Sequence, residues 1–535
     1  MHSLFPPPAP HDLEGLTVPA LLMRRATQIP RHMALSARSV RGFRDRIGYA
    51  QLAWSMRQVG AGLTAQGVRP KDRVAVFLDN QAGREAVLTA LGCLSIGAAV
   101  VPLNTRSADE ELRHALALVR PARIVVTAQD APRLRRLAAC ALMLIDPPGA
   151  PESIAPGATA WPEPTAQAHA STPVEDGNTE PDFPAELPAA LLFTSGTTAR
   201  AKAVVHSHRS MLHAGLAMGE ALGLGVDDLY QGAFPFFTSS CLNLACLSCW
   251  VHGAGFVMEN PMNDSQRLAL IESECTTFYH GVPSVLRFML DAARHAYHDL
   301  RKVRRIAYGG AAMPVDTIHR IARQWPWMEQ VQVWGMTESG PAGACLPPHD
   351  LPAKTGSIGR AMPYCQLRVI DDQGRDAAPG TPGQLCFRGP SMASGYLDDP
   401  QATAQTFQGG WLHTGDVVVQ DSQGFLTFVD RQKDMINRGG LKISSASVEA
   451  TLLRLPAIAE AAVVAIPHET LGEDVAACVV LSPGAQIDTA AMQAWCRNHL
   501  ADYAVPRRWL LLEALPKNPM GKVLKRTLRE RLTNP

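Results

Sequence analysis

The chain has almost no net charge. Fifty Lys and Arg stand against 49 Asp and Glu over 535 residues, leaving +1. That balance argues against nucleic acid or an anionic membrane as the main partner, because both are held by a surplus of cationic side chains. No uncharged apolar run is long enough to cross a bilayer, so no integral membrane segment is expected. Residues 1–11 are Pro-rich with neither a basic region nor an apolar core, which excludes a secretory signal and makes the cytoplasm the expected location. Framework cysteine spacing is absent too: 11 Cys, an odd number, are scattered as reduced, mostly buried thiols would be. Cys241, Cys246, Cys249 and His252 have spacings zinc could use, but the residues between them are apolar and small, so they are read as core side chains of a packed helix. No internal repeat is evident.

What is present is an ordinary globular composition, 46% hydrophobic and 19% charged, long enough for large cores and more than one domain. Residues 16–63 read as amphipathic helices around a short polar hairpin near Gly42. Strands are expected at 73–78, 98–103 and 123–126, with helices at 83–96 and 108–119 between them. This β-α alternation calls for parallel pairing and an α/β fold. Residues 147–188, rich in Pro, Ala, Glu, Thr and Gly without apolar periodicity, read as a surface linker. Alternation resumes over 211–328, and 369–430 is strand-and-turn rich, as a small β-barrel-like subdomain would be. After the charged run Asp430-Arg431-Gln432-Lys433-Asp434, roughly a hundred residues suit a small α+β domain.

The most informative stretch is Leu191-Leu192-Phe193-Thr194-Ser195-Gly196-Thr197-Thr198-Ala199-Arg200-Ala201-Lys202-Ala203-Val204-Val205-His206. It reads as strand, small hydroxyl-rich loop, strand. Small side chains let backbone N–H groups approach phosphate oxygens, the hydroxyls of Thr194, Ser195, Thr197 and Thr198 add donors, and Lys202 adds a positive charge. No Gly-Lys-Ser/Thr closes the loop and a β-branched run follows it, which argues against a P-loop NTPase. Taken alone, the same stretch is equally a plain β-hairpin.

The loop resembles the signature of adenylate-forming enzymes, the group that includes acyl-CoA synthetases, whose usual form is Thr-Ser-Gly-Thr-Thr-Gly-x-Pro-Lys. Ala199 and Ala201 depart from the usual glycine and proline. Four further segments resemble that family in its order. Gln332-Val333-Trp334-Gly335-Met336-Thr337-Glu338 is similar to Gln-Gly-Tyr-Gly-Met-Thr-Glu, which implies Gln332, Gly335 and Met336 at the nucleotide, Trp334 stacking on adenine, Thr337 at the α-phosphate and Glu338 as a Mg²⁺ carboxylate. Tyr308-Gly309-Gly310-Ala311-Ala312 resembles the segment whose backbone lines the adenine and acyl pockets. Trp411-Leu412-His413-Thr414-Gly415-Asp416 resembles Trp-x-x-Thr-Gly-Asp, implying that Asp416 accepts from the ribose hydroxyls, with Arg431 contacting ribose as well. Pro516-Lys517-Asn518-Pro519-Met520-Gly521-Lys522 resembles the loop whose lysine, here Lys522, bridges the acid and the α-phosphate.

The resemblance, which also takes in a pattern shared with crotonobetaine/carnitine-CoA ligase, implies a large N-terminal domain of layered α/β subdomains plus a barrel-like subdomain over 1–430. A hinge at 431–433 centred on Lys433 and a small mobile α+β lid over 434–535 complete it. It implies that a small carboxylic acid reacts with ATP and Mg²⁺ to an acyl-adenylate with release of pyrophosphate. Coenzyme A then takes the acyl group past the Gly439-Gly440 turn while the lid alternates between two poses. Phe236, Thr238, Ser239, Ser240 and Gly309 are expected to line the acyl pocket, with no counter-ion for a second charge on the acid. Thr238 and Ser447 depart from residues common in acyl-CoA synthetases, so an amine or a carrier-protein thiol stays open as acceptor. A scaffold without activity is disfavoured because Lys522, Asp416 and Glu338 are all present. A homodimer is left open.

Overall fold

The computed structural model describes residues 9–146, 158–164, 183–194, 201–294, 298–311, 313–517 and 522–533. The chain divides into two compact units, one built from residues up to 194 with 201–367 and 387–412, the other from 368–386 and 413 onward.

Two sheets organise the first unit. In one, the strands run Gly395–Tyr396, Ala203–Ser207, Pro188–Phe193, Ala99–Pro102, Arg73–Phe77, Arg123–Val126, Leu142–Leu144 and Ala158–Ala160 from edge to edge. The expected β-α alternation is present, with Gly83–Ser95 and Asp109–Val119 as helices and Arg73–Phe77 parallel to both its neighbours. Alternation along that strand sends Val74 and Val76 into one hydrophobic cluster and Ala75 and Phe77 into another, as a pleated strand with both faces covered requires. The second sheet runs Arg360–Ala361, Gly343–Leu346, Glu329–Gly335, Arg305–Tyr308, Phe278–Gly281, Leu229–Gly232, Gly255–Met258, Met33–Arg38 and Arg44–Gly48. Its last pair is the hairpin expected near Gly42.

The helices Tyr49–Ala65, Gly83–Ser95 and His208–Leu222 contribute side chains to the larger cluster, which also takes Val76 and Val100 from the first sheet and Phe256, Phe278 and Val331 from the second. Close helix packing is set by glycine. A Cβ on Gly215 would lie 2.7 Å from the Leu247 backbone, so His208–Leu222 and the helix Leu247–His252 meet only because nothing projects there. The cysteine-rich segment forms a wide helical turn, Ser240–Cys246, leading into Leu247–His252, and Cys241, Cys246 and Cys249 are buried in the same cluster. They pack as small hydrophobes.

The region read as a linker needs correction. Ala158–Ala160 adds an edge strand parallel to Leu142–Leu144, and Trp161, only 6% exposed, donates from its indole Nε1 to Thr89 Oγ1 at 2.9 Å. One aromatic with a buried partner anchors a stretch whose composition carries no periodic signal.

The strand-rich segment Gln366–Ile370, Pro382–Arg388, Trp411–Gln420 and Leu426–Arg431 falls mostly in the second unit. That unit then forms an α+β body in which the long hairpin Ile458–His468 and Gly472–Leu481 is flanked by Ser445–Leu452, Thr489–His499 and Lys525–Thr533. Among the described residues no helix is long and apolar enough to cross a membrane.

His206, His208, His252 and His280 are among the buried histidines of the first unit. Burial pushes His206, His208 and His252 from 6.5 down to about 4 and His280 to about 3. Between pH 6.5 and 4 the unfolded chain therefore binds protons that the folded chain refuses, so stability rises with pH across that window. The urea midpoint of this unit is expected to climb from pH 4.5 to pH 7; a midpoint flat over that range contradicts the assignment of neutral buried imidazoles.

Candidate functional site

In the first unit the hairpin Pro188–Phe193 and Ala203–Ser207 closes with Phe193 opposite Ala203 and with the Thr194 N–H donating to the Lys202 carbonyl at 3.0 Å. Thr194 and Lys202 thus stand at the two mouths of the loop. Ser195, Gly196, Thr197 and Thr198, and also Ala312, lie outside the described residues.

The strand Glu329–Gly335 ends in a tight turn, Thr337–Ser339, that carries the next motif. Three consecutive carbonyls of this turn are taken by distant segments. Thr337 accepts from His206 Nε2 at 2.8 Å, Glu338 from the Ala393 N–H at 2.9 Å, and Ser339 from Ser391 Oγ at 2.8 Å. With its Nε2 donating and its pKa depressed by burial, His206 is the neutral imidazole, its Nδ1 facing Ser210 Oγ at 3.2 Å. The turn is also tied through side chains. Thr337 Oγ1 lies 3.2 Å from Ser239 Oγ, and Glu338, 7% exposed, accepts the Tyr396 hydroxyl on Oε1 at 2.9 Å. Burial first, and then the Glu338 carboxylate, push the Tyr396 phenol well above its usual range, so it stays a donor.

Backbone room is engineered around the motif. Trp334 is half-buried against Gly343, where a Cβ would come 2.6 Å from the indole Cε3, and a Cβ on Gly335 would sit 1.7 Å from the Pro341 carbonyl oxygen. Gln332 is buried, while Gly335, Met336 and Thr337 are half-buried. On the neighbouring strand end, Gly309 is buried with its Cα turned on the Val333 carbonyl, and exposed Gly310 and Ala311 follow, Gly310 at φ +77.

The residues expected at the acyl pocket follow the strand Leu229–Gly232. Asn80, not foreseen, pins this loop: its Oδ1 accepts from the Phe236 N–H at 2.9 Å and its Nδ2 donates to the Phe234 and Glu259 carbonyls. Phe236 is fully buried in the core, Thr238 folds its hydroxyl back onto the Pro235 carbonyl at 2.7 Å, and Ser239 and Ser240 open the wide helical turn. Widened turns of this kind recur at functional sites.

The second unit gathers the remaining residues. Asp416 and Arg431 face each other across two antiparallel strands, and Arg431 Nε meets Asp416 Oδ1 at 2.6 Å in a carboxylate that is 1% exposed. The Thr414 hydroxyl, itself bound to the Leu385 carbonyl, accepts the Asp416 N–H and fixes the bend at Gly415. Lys433 is lowered from 10.5 by burial, with Arg431 and Arg529 adding to the effect and Asp434 opposing it. Lys522 is exposed as a residue, yet crowding of its ammonium, then Arg431 and Lys433, lowers it too, against Asp434 and Asp416. Asp416, Arg431, Lys433 and Lys522 therefore share one field with an excess of positive charge. Gly439 and Gly440, at φ +58 and +88, form the two-residue turn between Ile436–Arg438 and Leu441–Ile443, a geometry that by itself explains both glycines.

Among the described residues no three His, Cys, Asp or Glu side chains gather as a metal cage. Glu338 offers a single oriented carboxylate, the environment in which Mg²⁺ keeps water and takes substrate phosphate oxygens for the rest of its shell.

The profile of the AMP-binding enzyme family matches residues 22–397, and that of the AMP-binding enzyme C-terminal domain matches 447–522. The chain is 34% identical over 528 residues to a (7a-methyl-1,5-dioxo-octahydro-1H-inden-4-yl)propanoyl:CoA ligase of Mycobacterium tuberculosis, covering 96% of this chain and 98% of that one. It is 32% identical over 515 residues to a feruloyl-CoA synthase of Amycolatopsis sp, covering 95% and 98%. Among solved structures, O-succinylbenzoate coenzyme A synthetase of Bacillus subtilis in complex with ATP and magnesium superposes with a TM-score of 0.80 at 25% identity, over 95% of this chain and 98% of that one.

Gly335→Ala is expected to cost at least the roughly 1–3 kcal/mol of ordinary overpacking, because the atom it meets is backbone and cannot swing aside. Gly356→Ala, with nothing within 4 Å, meets only the strain of φ +92. Urea unfolding of both variants should rank Gly335→Ala as the more damaging.

Proposed function

Because the chain belongs to the AMP-binding enzyme family, we propose that the residues above activate a neutral, largely apolar or cyclic carboxylic acid with ATP and pass it to coenzyme A. The acid's carboxylate attacks the α-phosphorus, pyrophosphate leaves, and the thiol of coenzyme A then attacks the acyl carbonyl and releases AMP. Little of this chemistry needs a protein nucleophile, so catalysis rests on positioning and charge.

The observation that carries the reading is the buried Asp416 carboxylate, 1% exposed and held by Arg431 Nε at 2.6 Å, with Lys522 close enough to feel both charges. Burial first, and then Arg431 and Lys433, disfavour the protonated form of Lys522, so the lysine gains when an anion arrives. Lys522 stands where carboxylate and α-phosphate meet, and Asp416 with Arg431 receives the ribose hydroxyls. Thr337 donates to the α-phosphate. Lys202 and the loop from Thr194 hold the outer phosphates, and Trp334, with Gln332, Gly335 and Met336, seats the adenine beside Gly310, Ala311 and Ala312. Glu338 holds Mg²⁺, which neutralises phosphate charge when bound. The acyl group lies along Phe236, Thr238, Ser239, Ser240 and Gly309, none of which offers a counter-ion for a second charge on the acid.

In this proposal residues 431–433, with Lys433 as hinge, divide a large N-terminal domain from a mobile lid, and coenzyme A enters by the Gly439-Gly440 turn. The CoA ligase names of the relatives favour a thiol over an amine as acceptor. Pyrophosphate release from a panel of ring-bearing and open-chain acids, with and without coenzyme A and with amines, tests acid and acceptor together through the mass of the product. A panel turned over equally well by dicarboxylates would overturn the neutral-acid assignment.

Lys522→Ala is expected to retain ATP binding but to lose about 10²- to 10³-fold in the rate of adenylate formation, the usual loss on deleting one preorganised electrostatic group. Wild-type pyrophosphate release by that variant removes Lys522 from the reaction. Asp416→Ala should raise the KM for ATP more than it lowers kcat, since ribose carries no developing charge; an unchanged ATP affinity rules the ribose contact out.

A further inference from the structure

Tyr396 lies outside every motif that pointed to the site, yet it touches two of its members. It sits on the edge strand Gly395–Tyr396, paired antiparallel with Ala203–Ser207 so that Tyr396 stands opposite Val204. Lys202 is two residues back along that partner, the diagonal neighbour on the same face, and its Nζ lies 4.7 Å from the centroid of the Tyr396 ring. The hydroxyl of the same ring donates to Glu338 Oε1 at 2.9 Å, reaching the turn that ends a strand of the other sheet.

Tyr396 itself has little freedom. Thr403 Oγ1 accepts its N–H at 2.9 Å, Phe407 packs edge-on at 6.0 Å between centroids, and three residues earlier Ala393 holds the Glu338 carbonyl. We propose that Tyr396 is a positioning residue that aims the Glu338 carboxylate through its hydroxyl and sets the Lys202 ammonium with its ring face. This rests on the reading of Glu338 as the Mg²⁺ carboxylate and of Lys202 as a phosphate contact. A glutamate swings about several single bonds. Holding Oε1 with a fixed donor restricts that swing and leaves Oε2 as the oxygen that would meet a metal, and the ring face restrains the long lysine stem.

The two contacts separate by substitution. Tyr396→Phe keeps the ring and removes the hydrogen bond, whereas Tyr396→Leu removes both. Binding of Mn²⁺, followed by electron paramagnetic resonance in the presence of α,β-methylene ATP, reads the first contact without turnover. Calorimetric binding of the same nucleotide in chelator reads the second. Tyr396→Phe is expected to weaken Mn²⁺ about tenfold, the scale of one hydrogen bond to a charged group, with metal-free nucleotide binding unchanged. Tyr396→Leu is expected to weaken both. The KM for the acid should stay put in Tyr396→Phe, which a general loss of packing would not allow.

Glu338→Gln separates the failures. If it weakens Mn²⁺ while Tyr396→Phe does not, the positioning role of the hydroxyl is wrong and the metal assignment stands. If neither variant weakens Mn²⁺, the metal assignment falls and takes the hydroxyl's role with it. Equal metal-free nucleotide affinity in the Phe and Leu variants overturns the role of the ring.

Discussion

Three successive peptide carbonyls, those of Thr337, Glu338 and Ser339, accept hydrogen bonds from two segments that are far away in the chain, one at His206 and one at Ser391 and Ala393. A turn left to itself would offer those oxygens to water and wander. Here His206, Ala393 and Ser391 take them, so the Thr337 hydroxyl and the Glu338 carboxylate project from a backbone held on every side. Because buried carbonyls are costly to leave unpaired, the three donors are as much a part of this site as the side chains that would meet a ligand.

The neutral state of His206 belongs to that constraint. A protonated imidazole would still donate from Nε2, but burial disfavours its charge, and Nδ1 would turn from an acceptor into a second donor toward Ser210 Oγ. The same burial that fixes the turn therefore links its integrity to pH. In the second unit burial first, and then neighbouring cations, lower Lys433 and Lys522, opposed by Asp434 and Asp416.

Much of the fold was legible because its cues are local. The strands at 73–77, 99–102 and 123–126 and the helices between them announce themselves through runs of six or fewer residues and through periodicity, and parallel pairing follows from the alternation. The edge strand Ala158–Ala160 was hidden because its cue is one tryptophan, Trp161, whose partner Thr89 is 72 residues away. Compositional bias cannot register a single anchor.

By itself the sequence determined which short motifs occur and in what order, and hence a family of carboxylate-activating enzymes, for which Thr337, Glu338, Asp416 and Lys522 are the proposed working groups. Only tertiary structure decided what holds them. Asn80 to Phe236 spans 156 residues, His206 to Thr337 spans 131 and Tyr396 to Glu338 spans 58. A motif is legible when its members share one loop, since spacing along the chain then stands for distance in space. A hydrogen bond between strands of different sheets leaves no such trace, because it depends on register and packing that the whole fold must settle before either residue has a partner.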